Sequence, residues 1–281
     1  MQTRSRSPGS ELLRSPNVLL VMSESSKYFA VLSDIHGNVD ALDAVLADCA
    51  DYPVFQILCL GDTIGYGSEP AACTERMMEH ATISLLGNHE AMLSLDDTDL
   101  DTLDEIAVPI RLARRQLADA QLAWIRDLPL SVELDFMTLV HASVNDPLAF
   151  NYISLPSEAA ENFDAQTKPV SFHGHTHVPN IWEKIDGKIS ALEPAETKTL
   201  LEPGARYAIN PGSVGQPRAD DYRASYCLYD HENRVLHHRR VDYDVARAQA
   251  RYKAAGIPKP FIRRLSPKRR KRTQPAGSAS F

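Results

Sequence analysis

The chain has little of what marks a disulfide-rich, membrane-spanning or collagen-like protein. Its 281 residues include four cysteines, widely spaced and without a C-x-x-C pair, and 13 glycines. We therefore expect reduced thiols in the core of a cytoplasmic protein. The longest early apolar run, Val18 to Met22, is far shorter than the roughly 18 residues of a membrane span. No small-residue cleavage pattern follows that run, so the sequence predicts no signal peptide and no membrane partner.

Charge is distributed unevenly along the chain. The formal net charge is −7, yet residues 251–281 contain ten basic and no acidic residues, which leaves residues 28–250 strongly acidic. An acidic body repels bare nucleic acid unless bound cations intervene. The basic run Lys268 to Arg272 is typical of a solvated tail. We therefore expect nucleic acid to bind, if at all, only through that tail.

Composition divides the chain into three predicted parts. Residues 1–27 are rich in Ser and Arg and lack periodicity, which predicts a disordered N-terminal extension or a translation start at Met22. Residues 28–253 have ordinary globular composition and predict a folded domain. Residues 254–281 predict a basic disordered tail.

Five short apolar runs in the folded part each end near a polar residue that can bind a metal ion. Helix-like stretches at 39–49 and 69–80 separate the first three runs, which predicts parallel βαβ units. From Leu130 onward, short strands with turn signals predict a second, mostly antiparallel set that packs on the first. The run-and-ligand pairs are Tyr28–Leu32 before Asp34 and His36, Val54–Leu60 before Asp62, Ala81–Leu86 before Asn88, Met137–Val140 before His141, and Val170–Phe172 before His175 and His177.

Loops at the carboxyl ends of neighbouring strands of an open α/β sheet converge on one crevice, so these side chains are expected to meet. Seven donors exceed the need of one tetrahedral centre. Two ions roughly 3.5 to 4 Å apart, sharing one carboxylate, would use all seven. Each element alone also has a structural interpretation. Asp34-x-His36 fits a turn or helix cap, and a lone His141 is commonly a hydrogen-bonded structural histidine.

The ordered motifs resemble those of the calcineurin-like metallophosphoesterase family over residues 28 to about 240. They are D-x-H at Asp34 and His36, G-D at Gly61-Asp62, G-N-H-E at Gly87 to Glu90, H at His141, and G-H-T-H at Gly174 to His177. The resemblance implies an α/β (α+β) fold, a two-sheet β-sandwich flanked by helices, as the metallophosphoesterase domain at 28–253. It also implies two divalent ions, Mn²⁺, Fe²⁺, Zn²⁺ or Ni²⁺.

Carried over by position, the resemblance implies one ion held by Asp34, His36, Asp62 and His177. The other ion is then held by Asp62, Asn88, His141 and His175, with Asp62 as the bridge. His89, next to Asn88, is expected to protonate the leaving group or stabilise its charge. The alternative for His89 is a histidine that hydrogen-bonds a carboxylate such as Asp34.

The stretch Asn210 to Arg218 resembles a small bacterial branch of the family, described only as predicted phosphoesterases. Arg218 can pair with a phosphate oxygen of the substrate, and the alternative is a structural turn with Arg218 at the surface. The family's protein phosphatases carry G-D-x-V-D-R-G, whereas Gly65 and Tyr66 occupy the D-R positions here. Without that arginine, a phosphodiester is the favoured substrate, because it carries one charge fewer than a monoester.

The predicted function is therefore hydrolysis of a small nucleotide-type phosphodiester by a metal-bridging hydroxide. A phosphomonoesterase or protein phosphatase of the same family is the alternative within this chemistry. Outside it, the alternatives are a catalytically silent binding scaffold, a nucleic-acid-binding module around the tail, and a metallohydrolase acting on carbonyls. The Asn ligand and the G-N-H-E context disfavour the carbonyl chemistry.

Overall fold

Two mixed six-stranded β-sheets pack against each other in the computed structural model, which describes residues 27–266. The strands are β1 (Tyr28–Leu32), β2 (Val54–Cys59), β3 (Ala81–Ser84), β4 (Ser131–Glu133), β5 (Met137–Val140), β6 (Val170–Phe172), β7 (Asn180–Ile185), β8 (Lys188–Leu192), β9 (Lys198–Leu200), β10 (Arg206–Asn210), β11 (Ala224–Asp230) and β12 (Val235–Val241). The first sheet has the order β3-β2-β1-β11-β12-β9, and the second has the order β4-β5-β6-β10-β7-β8. This arrangement confirms the predicted two-sheet fold.

Helices cover the outer sides of the sandwich and lie between the strands along the chain. They are α1 (Val39–Ala50), α2 (Pro70–His80), α3 (Asn88–Ala91), α4 (Asp97–Asp101), α5 (Ala107–Gln116), α6 (Asp119–Arg126), α7 (Pro156–Ala165), α8 (Val245–Ala254) and α9 (Lys259–Arg264), with 3₁₀ turns at Met92–Ser94 and Asp104–Ile106. Within residues 27–266, no helix combines the length and apolar character needed to cross a membrane.

Strand β1 is buried on both of its faces, which accounts for its apolar sequence. Phe29 and Val31 point into the core between the two sheets. Ala30 and Leu32 point the other way, into a second core that includes Leu42 of α1. Because successive side chains of a strand alternate between faces, a strand covered on both sides must be apolar at every position.

One predicted feature of the second sheet is wrong, and another is confirmed. Strands β11 and β12 belong to the first sheet, where β11 pairs antiparallel with β1 and places Tyr229 opposite Phe29. The second sheet is mostly antiparallel, as predicted, because three of its five strand pairings are antiparallel, while β6 pairs in parallel with both β5 and β10. Alternating hydrophobicity shows which side of a strand is buried but not which strand is its neighbour, so strand order was beyond the sequence pattern.

The predicted start of the basic tail at residue 254 is too early. Residues 259–264 form α9, and Phe261 and Leu265 are buried with Tyr252 of α8 and with Tyr66. The many basic residues of this segment made it look like a tail. Their long side chains can stay in water while the apolar face of the same short helix packs against the protein. The basic run Lys268 to Arg272 and residues 1–26 of the predicted extension lie outside the described residues.

All four cysteines are buried and free, as the spacing predicted. Burial raises the pKa of Cys49 and of Cys59 to about 12. A buried thiol with a high pKa is a poor nucleophile and a poor metal ligand at neutral pH. The cysteines therefore act as small apolar core residues.

Candidate metal centre

The loops that follow β1, β2, β5 and β6 meet at one edge of the sandwich. Backbone hydrogen bonds join the first two loops, from Asp34 N to the Gly61 carbonyl (3.1 Å) and from His36 N to the Asp62 carbonyl (2.8 Å). The other two loops are joined by Gly174 N, which donates to the His141 carbonyl at 2.8 Å. These bonds continue the parallel strand pairing past the strand ends within each sheet. The hydrogen bond from His175 N to the Asp34 carboxylate then joins the loops of the two sheets.

The structure brings all seven predicted ligands together in two overlapping sets. Donor atoms of the first set, Asp34, His36, Asp62 and His177, lie within 4.8 Å of one another, as do those of the second set, Asp62, His141 and His175. Asn88 joins the second set through Oδ1, which lies 3.1 Å from His141 Nε2. We call these residues the metal cluster. Asp62 belongs to both sets, as the predicted bridge requires.

One oxygen of Asp62 is free to bridge two cations. Its Oδ2 lies 3.6 Å from His36 Nε2 and 3.4 Å from His141 Nε2. Although Oδ2 is buried, it has no hydrogen-bond partner among the described residues. The other oxygen, Oδ1, accepts a hydrogen bond from His89 N at 2.9 Å, which fixes the carboxylate plane. A buried carboxylate oxygen without a donor is costly unless a cation occupies the space beside it.

The imidazole rings give the strongest sign that the cluster fits a cation. The Nδ1 atoms of His36, His141 and His177 lie 3.1, 2.9 and 2.7 Å from the backbone carbonyls of Ile64, Leu60 and Gln216. A carbonyl oxygen only accepts, so each Nδ1 carries the hydrogen and each Nε2 presents a lone pair in the neutral ring. The Nε2 atoms of His36 and His177 face each other at 3.0 Å.

Two lone pairs at such a distance repel unless a cation or a proton lies between them. In the second set, His141 Nε2 faces the acceptor Asn88 Oδ1, so a neutral His141 ring would repeat the pattern. Neutral imidazole nitrogens, carboxylates and one amide oxygen are ligands for a divalent transition metal, and each ring is oriented by a carbonyl on its far side. The donor set therefore fits two divalent ions.

The backbone at the cluster is strained. Five of the seven residues have positive φ angles between 50° and 63°, namely Asp34, His36, Asp62, His175 and His177. Asp and His tolerate this left-handed region better than most side chains, but each such residue costs about 1–3 kcal/mol. Strain that the surrounding fold maintains at one place is characteristic of a functional site.

Burial and neighbouring charges shift the pKa values inside the cluster in opposite directions. Burial lowers the pKa of His36 and of His177 well below the usual range, so both rings are neutral, as metal ligands must be. Burial also raises the pKa of Asp34 to about 7. Burial opposes the charge on His141, but Asp62 outweighs it and raises the pKa of His141 to about 9. At neutral pH the metal-free protein therefore holds a proton on His141 and, in part, on Asp34, whereas His36 Nε2 and His177 Nε2 carry none.

His89 lies at the cluster, and its ring is not hydrogen-bonded to Asp34. Its Nε2 is 3.9 Å from Asp62 Oδ2, and its buried Nδ1 has no hydrogen-bond partner within residues 27–266. Burial lowers the pKa of His89, so the imidazole is neutral at pH 7. A side chain at Gly65 would collide with this ring, which explains why a glycine fits where the family's phosphatases have an aspartate.

Arg218 lies beside the cluster and is only partly exposed. Its Nη2 donates to the Tyr66 hydroxyl at 3.2 Å, while its buried Nε has no partner among the residues that the structure describes. The Coulombic influence of Arg218 also reaches Asp34. Arg218 therefore lies against the cluster rather than free at the surface, and its substrate role stays a prediction.

The sequence interpretation gave no role to three residues that shape the site. The Glu90 carboxylate accepts from Asp62 N (2.9 Å) and Gly87 N (3.0 Å), which holds the loop after β2 against the start of α3. Its position as the third residue of α3 is a capping signal that could have revealed this role. Asn210 Nδ2 donates to the Gly174 carbonyl at 2.7 Å, and the Tyr152 ring stacks on His175. No local pattern marks Tyr152.

Comparison with known proteins agrees with this geometry. The family model for the calcineurin-like phosphoesterase superfamily domain matches residues 28–234. The chain therefore belongs to the calcineurin-like phosphoesterase superfamily, and this membership implies a phosphoester hydrolase with divalent metal ions.

Relatives cover most of the chain. An uncharacterized protein of Methanocaldococcus jannaschii is 33% identical over 224 residues, which are 78% of this chain and 89% of that protein. A solved structure of a metallophosphoesterase from Sphaerobacter thermophilus is 33% identical with a TM-score of 0.74, covering 86% of this chain and 99% of that one. A hypothetical protein of Pyrococcus horikoshii, 21% identical with a TM-score of 0.68, covers 85% of this chain and 97% of its own, and supports the fold.

Proposed function

We propose that this protein is a dinuclear-metal-dependent phosphodiesterase that acts on a small nucleotide-type phosphodiester. The observation that carries the proposal is the convergence of lone pairs in the cluster, above all the 3.0 Å between His36 Nε2 and His177 Nε2. The proposed ligands are Asp34, His36, Asp62 and His177 for one ion, and Asp62, Asn88, His141 and His175 for the other. Superfamily membership supports phosphoester chemistry in general.

Two divalent ions would activate water at neutral pH and neutralise the charge on a phosphoryl group. The chain's own residues prepare the space for them. The His175 backbone N–H donates to both oxygens of Asp34, at 3.2 and 3.1 Å, and so orients that carboxylate. The unpartnered Asp62 Oδ2 faces both sets. Close packing of these groups excludes bulk water, which strengthens every charge interaction in the site.

His89 is the proposed catalytic residue. Burial lowers the pKa of His89, so its imidazole is neutral at pH 7, and nearby cations would favour the neutral form further. We therefore favour a neutral ring that donates a hydrogen bond to the leaving oxygen over an imidazolium that transfers a proton to it. Its backbone N–H already anchors it to Asp62 Oδ1 at 2.9 Å. The ring is thus held in place by the same carboxylate that bridges the two sets.

Arg218 is the proposed phosphate-binding residue, and its position also supports a second candidate activity, hydrolysis of a phosphomonoester. The absence of an arginine at positions 65 and 66 favours a diester over a monoester dianion. However, Arg218 Nη2 contacts Tyr66, which occupies the family's arginine position, so a guanidinium approaches that place from the Asn210 to Arg218 stretch. This contact favours phosphomonoester hydrolysis as the second candidate. Buried free thiols support a cytoplasmic location.

The proposal is tested by metal analysis of the full chain purified without chelator, combined with a substrate panel. We expect about two divalent ions per chain, a fall in Tm after chelation, and faster hydrolysis of bis-(p-nitrophenyl) phosphate than of p-nitrophenyl phosphate. A metal-loaded protein that hydrolyses neither compound nor any dinucleotide would instead indicate a silent binding scaffold. Faster monoester hydrolysis would select the second candidate. The metal content identifies which of Mn²⁺, Fe²⁺, Zn²⁺ or Ni²⁺ binds.

A further inference from the structure

An exposed tyrosine stacks on one of the proposed metal ligands. The rings of Tyr152 and His175 are nearly parallel, with centroids 4.3 Å apart and an interplanar angle of 20°, yet Tyr152 remains 47% exposed. Stacking on His175 occupies only one face of the phenol ring. An aromatic face left in water beside a reaction centre is available to a flat group of a ligand.

The loop between β5 and α7 holds Tyr152 in this place. Phe150 belongs to the same loop, with its ring centroid 5.9 Å from that of His141 and 6.4 Å from that of His175. Phe150 has a φ of 50°, a backbone conformation that bulky side chains rarely adopt. The fold therefore imposes this loop path, and the path brings two aromatic rings to the second set of the metal cluster.

A cationic side chain lies beside the same tyrosine. Arg218 hydrogen-bonds the Tyr66 hydroxyl at 3.2 Å and also interacts with the Tyr152 side chain. A phosphate gripped by Arg218 would therefore lie close to the Tyr152 ring. The group esterified to that phosphate would then extend along the exposed aromatic face.

We propose that Tyr152 is a specificity-determining residue that stacks on a planar aromatic group esterified to the scissile phosphate, so that the substrate is a nucleoside-type phosphoester. The inference rests on the proposed function and deepens it, because it names the residue that distinguishes a nucleoside ester from an alkyl ester. A stacked base typically contributes about 1–3 kcal/mol, which corresponds to about 5- to 150-fold in affinity.

The test compares two monoesters that differ only in the esterified group, adenosine 5′-monophosphate and methyl phosphate. Dissociation constants are measured by calorimetry on the manganese-loaded full chain, and inhibition constants are measured against bis-(p-nitrophenyl) phosphate. The variants are Tyr152→Ala, Tyr152→Phe and, as a control, Leu155→Ala, another exposed apolar position of the same loop. Metal content is measured for each.

We expect the native protein to prefer the nucleotide and Tyr152→Ala to reduce that preference by about 5- to 150-fold. Tyr152→Phe keeps the ring and should keep the preference within about twofold, as should Leu155→Ala. Equal weakening of both ligands in Tyr152→Ala, or a Phe variant as impaired as the Ala variant, would overturn the stacking role. If the native protein binds both ligands equally, only this inference fails, whereas binding of neither ligand together with no hydrolysis sinks the proposed function too.

Discussion

The two sides of the metal cluster differ in their access to water. On the side of the first set, Asp34, His36 and His177 are at most 1% exposed. On the side of the second set, His141 is also fully buried, but His175 is 9% exposed, Asn88 is half-buried, and the exposed ring of Tyr152 lies alongside. An enclosed set of pinned ligands is suited to holding an ion permanently, whereas an open set is suited to exchanging water for substrate. The comparison indicates that substrate approaches from the second side.

The largest effect is expected where the two sides share a residue. Asp62→Asn keeps the shape of the side chain but removes the charge that both ions require, so both should be lost together with nearly all hydrolysis. Metal content measured by mass spectrometry checks this. Asp43→Asn, which changes a half-exposed carboxylate paired with Arg76, is the matched control and should keep both ions. Two ions retained in Asp62→Asn would contradict the bridging assignment.

Removing the proposed catalytic group should separate turnover from metal binding. His89→Asn, whose shorter side chain cannot carry a donor to the same position, is expected to lower turnover of bis-(p-nitrophenyl) phosphate by about 10²- to 10³-fold, the range for loss of one preorganised hydrogen-bond donor. Metal content should stay near normal, because His89 is not a proposed ligand. The control His80→Asn alters an exposed histidine of α2. Unchanged turnover in His89→Asn would remove this residue from the mechanism.

Matched ligand variants test the difference between the two sides directly. In His36→Ala the enclosed set loses a ligand, and in His175→Ala the open set does. During a chelator titration, we expect His175→Ala to keep one ion and His36→Ala to lose its remaining ion at a lower chelator concentration. His36→Ala should also have the lower Tm, because bound metal stabilises the folded state. Equal chelator sensitivity and equal Tm in the two variants would show that enclosure does not govern retention.

Metal affinity should rise with pH. In the metal-free protein, burial raises the pKa of Asp34 to about 7, and Asp62 overcomes burial to raise that of His141 to about 9. A cation binds only after both groups have lost their protons. Between about pH 7 and 9 binding displaces one proton, from His141, and below about pH 7 it displaces two, from His141 and Asp34. Affinity should therefore increase roughly tenfold per pH unit above neutrality and more steeply below it. Competition with a fluorescent chelator measures this, and a flat profile would contradict it.

The smallest effect is expected at the C-terminus. Ending the chain after Ser266 keeps Phe261, whose ring centroid lies 4.7 Å from that of Tyr66, and should leave phosphodiesterase activity within about twofold. Any salt-sensitive affinity for RNA should disappear with the basic run Lys268 to Arg272. Loss of hydrolysis in this truncated chain would give the tail a role in the reaction.

The positions of the cluster residues were predictable because each lies in the short segment that follows a strand. Asp62 and His141 each follow a short apolar run. The parallel arrangement of β1, β2 and β3 in the first sheet, and of β5 and β6 in the second, brings the ends of these runs to one edge. The pairing of β11 with β1 was not predictable, nor was the burial of Phe261 after a basic stretch. Both depend on which surfaces are left uncovered once the rest of the chain has folded.

The amino-acid sequence by itself determined which side chains end the strands and therefore which donors are available to metal ions, because strand ends and alternation are local properties. Only the tertiary structure decided that Asp62 Oδ2 faces both sets, that Arg218 contacts Tyr66, and that Tyr152 covers His175. These contacts join residues far apart along the chain. Their geometry depends on strand order and loop path, which arise from packing of the whole fold rather than from any short stretch of sequence.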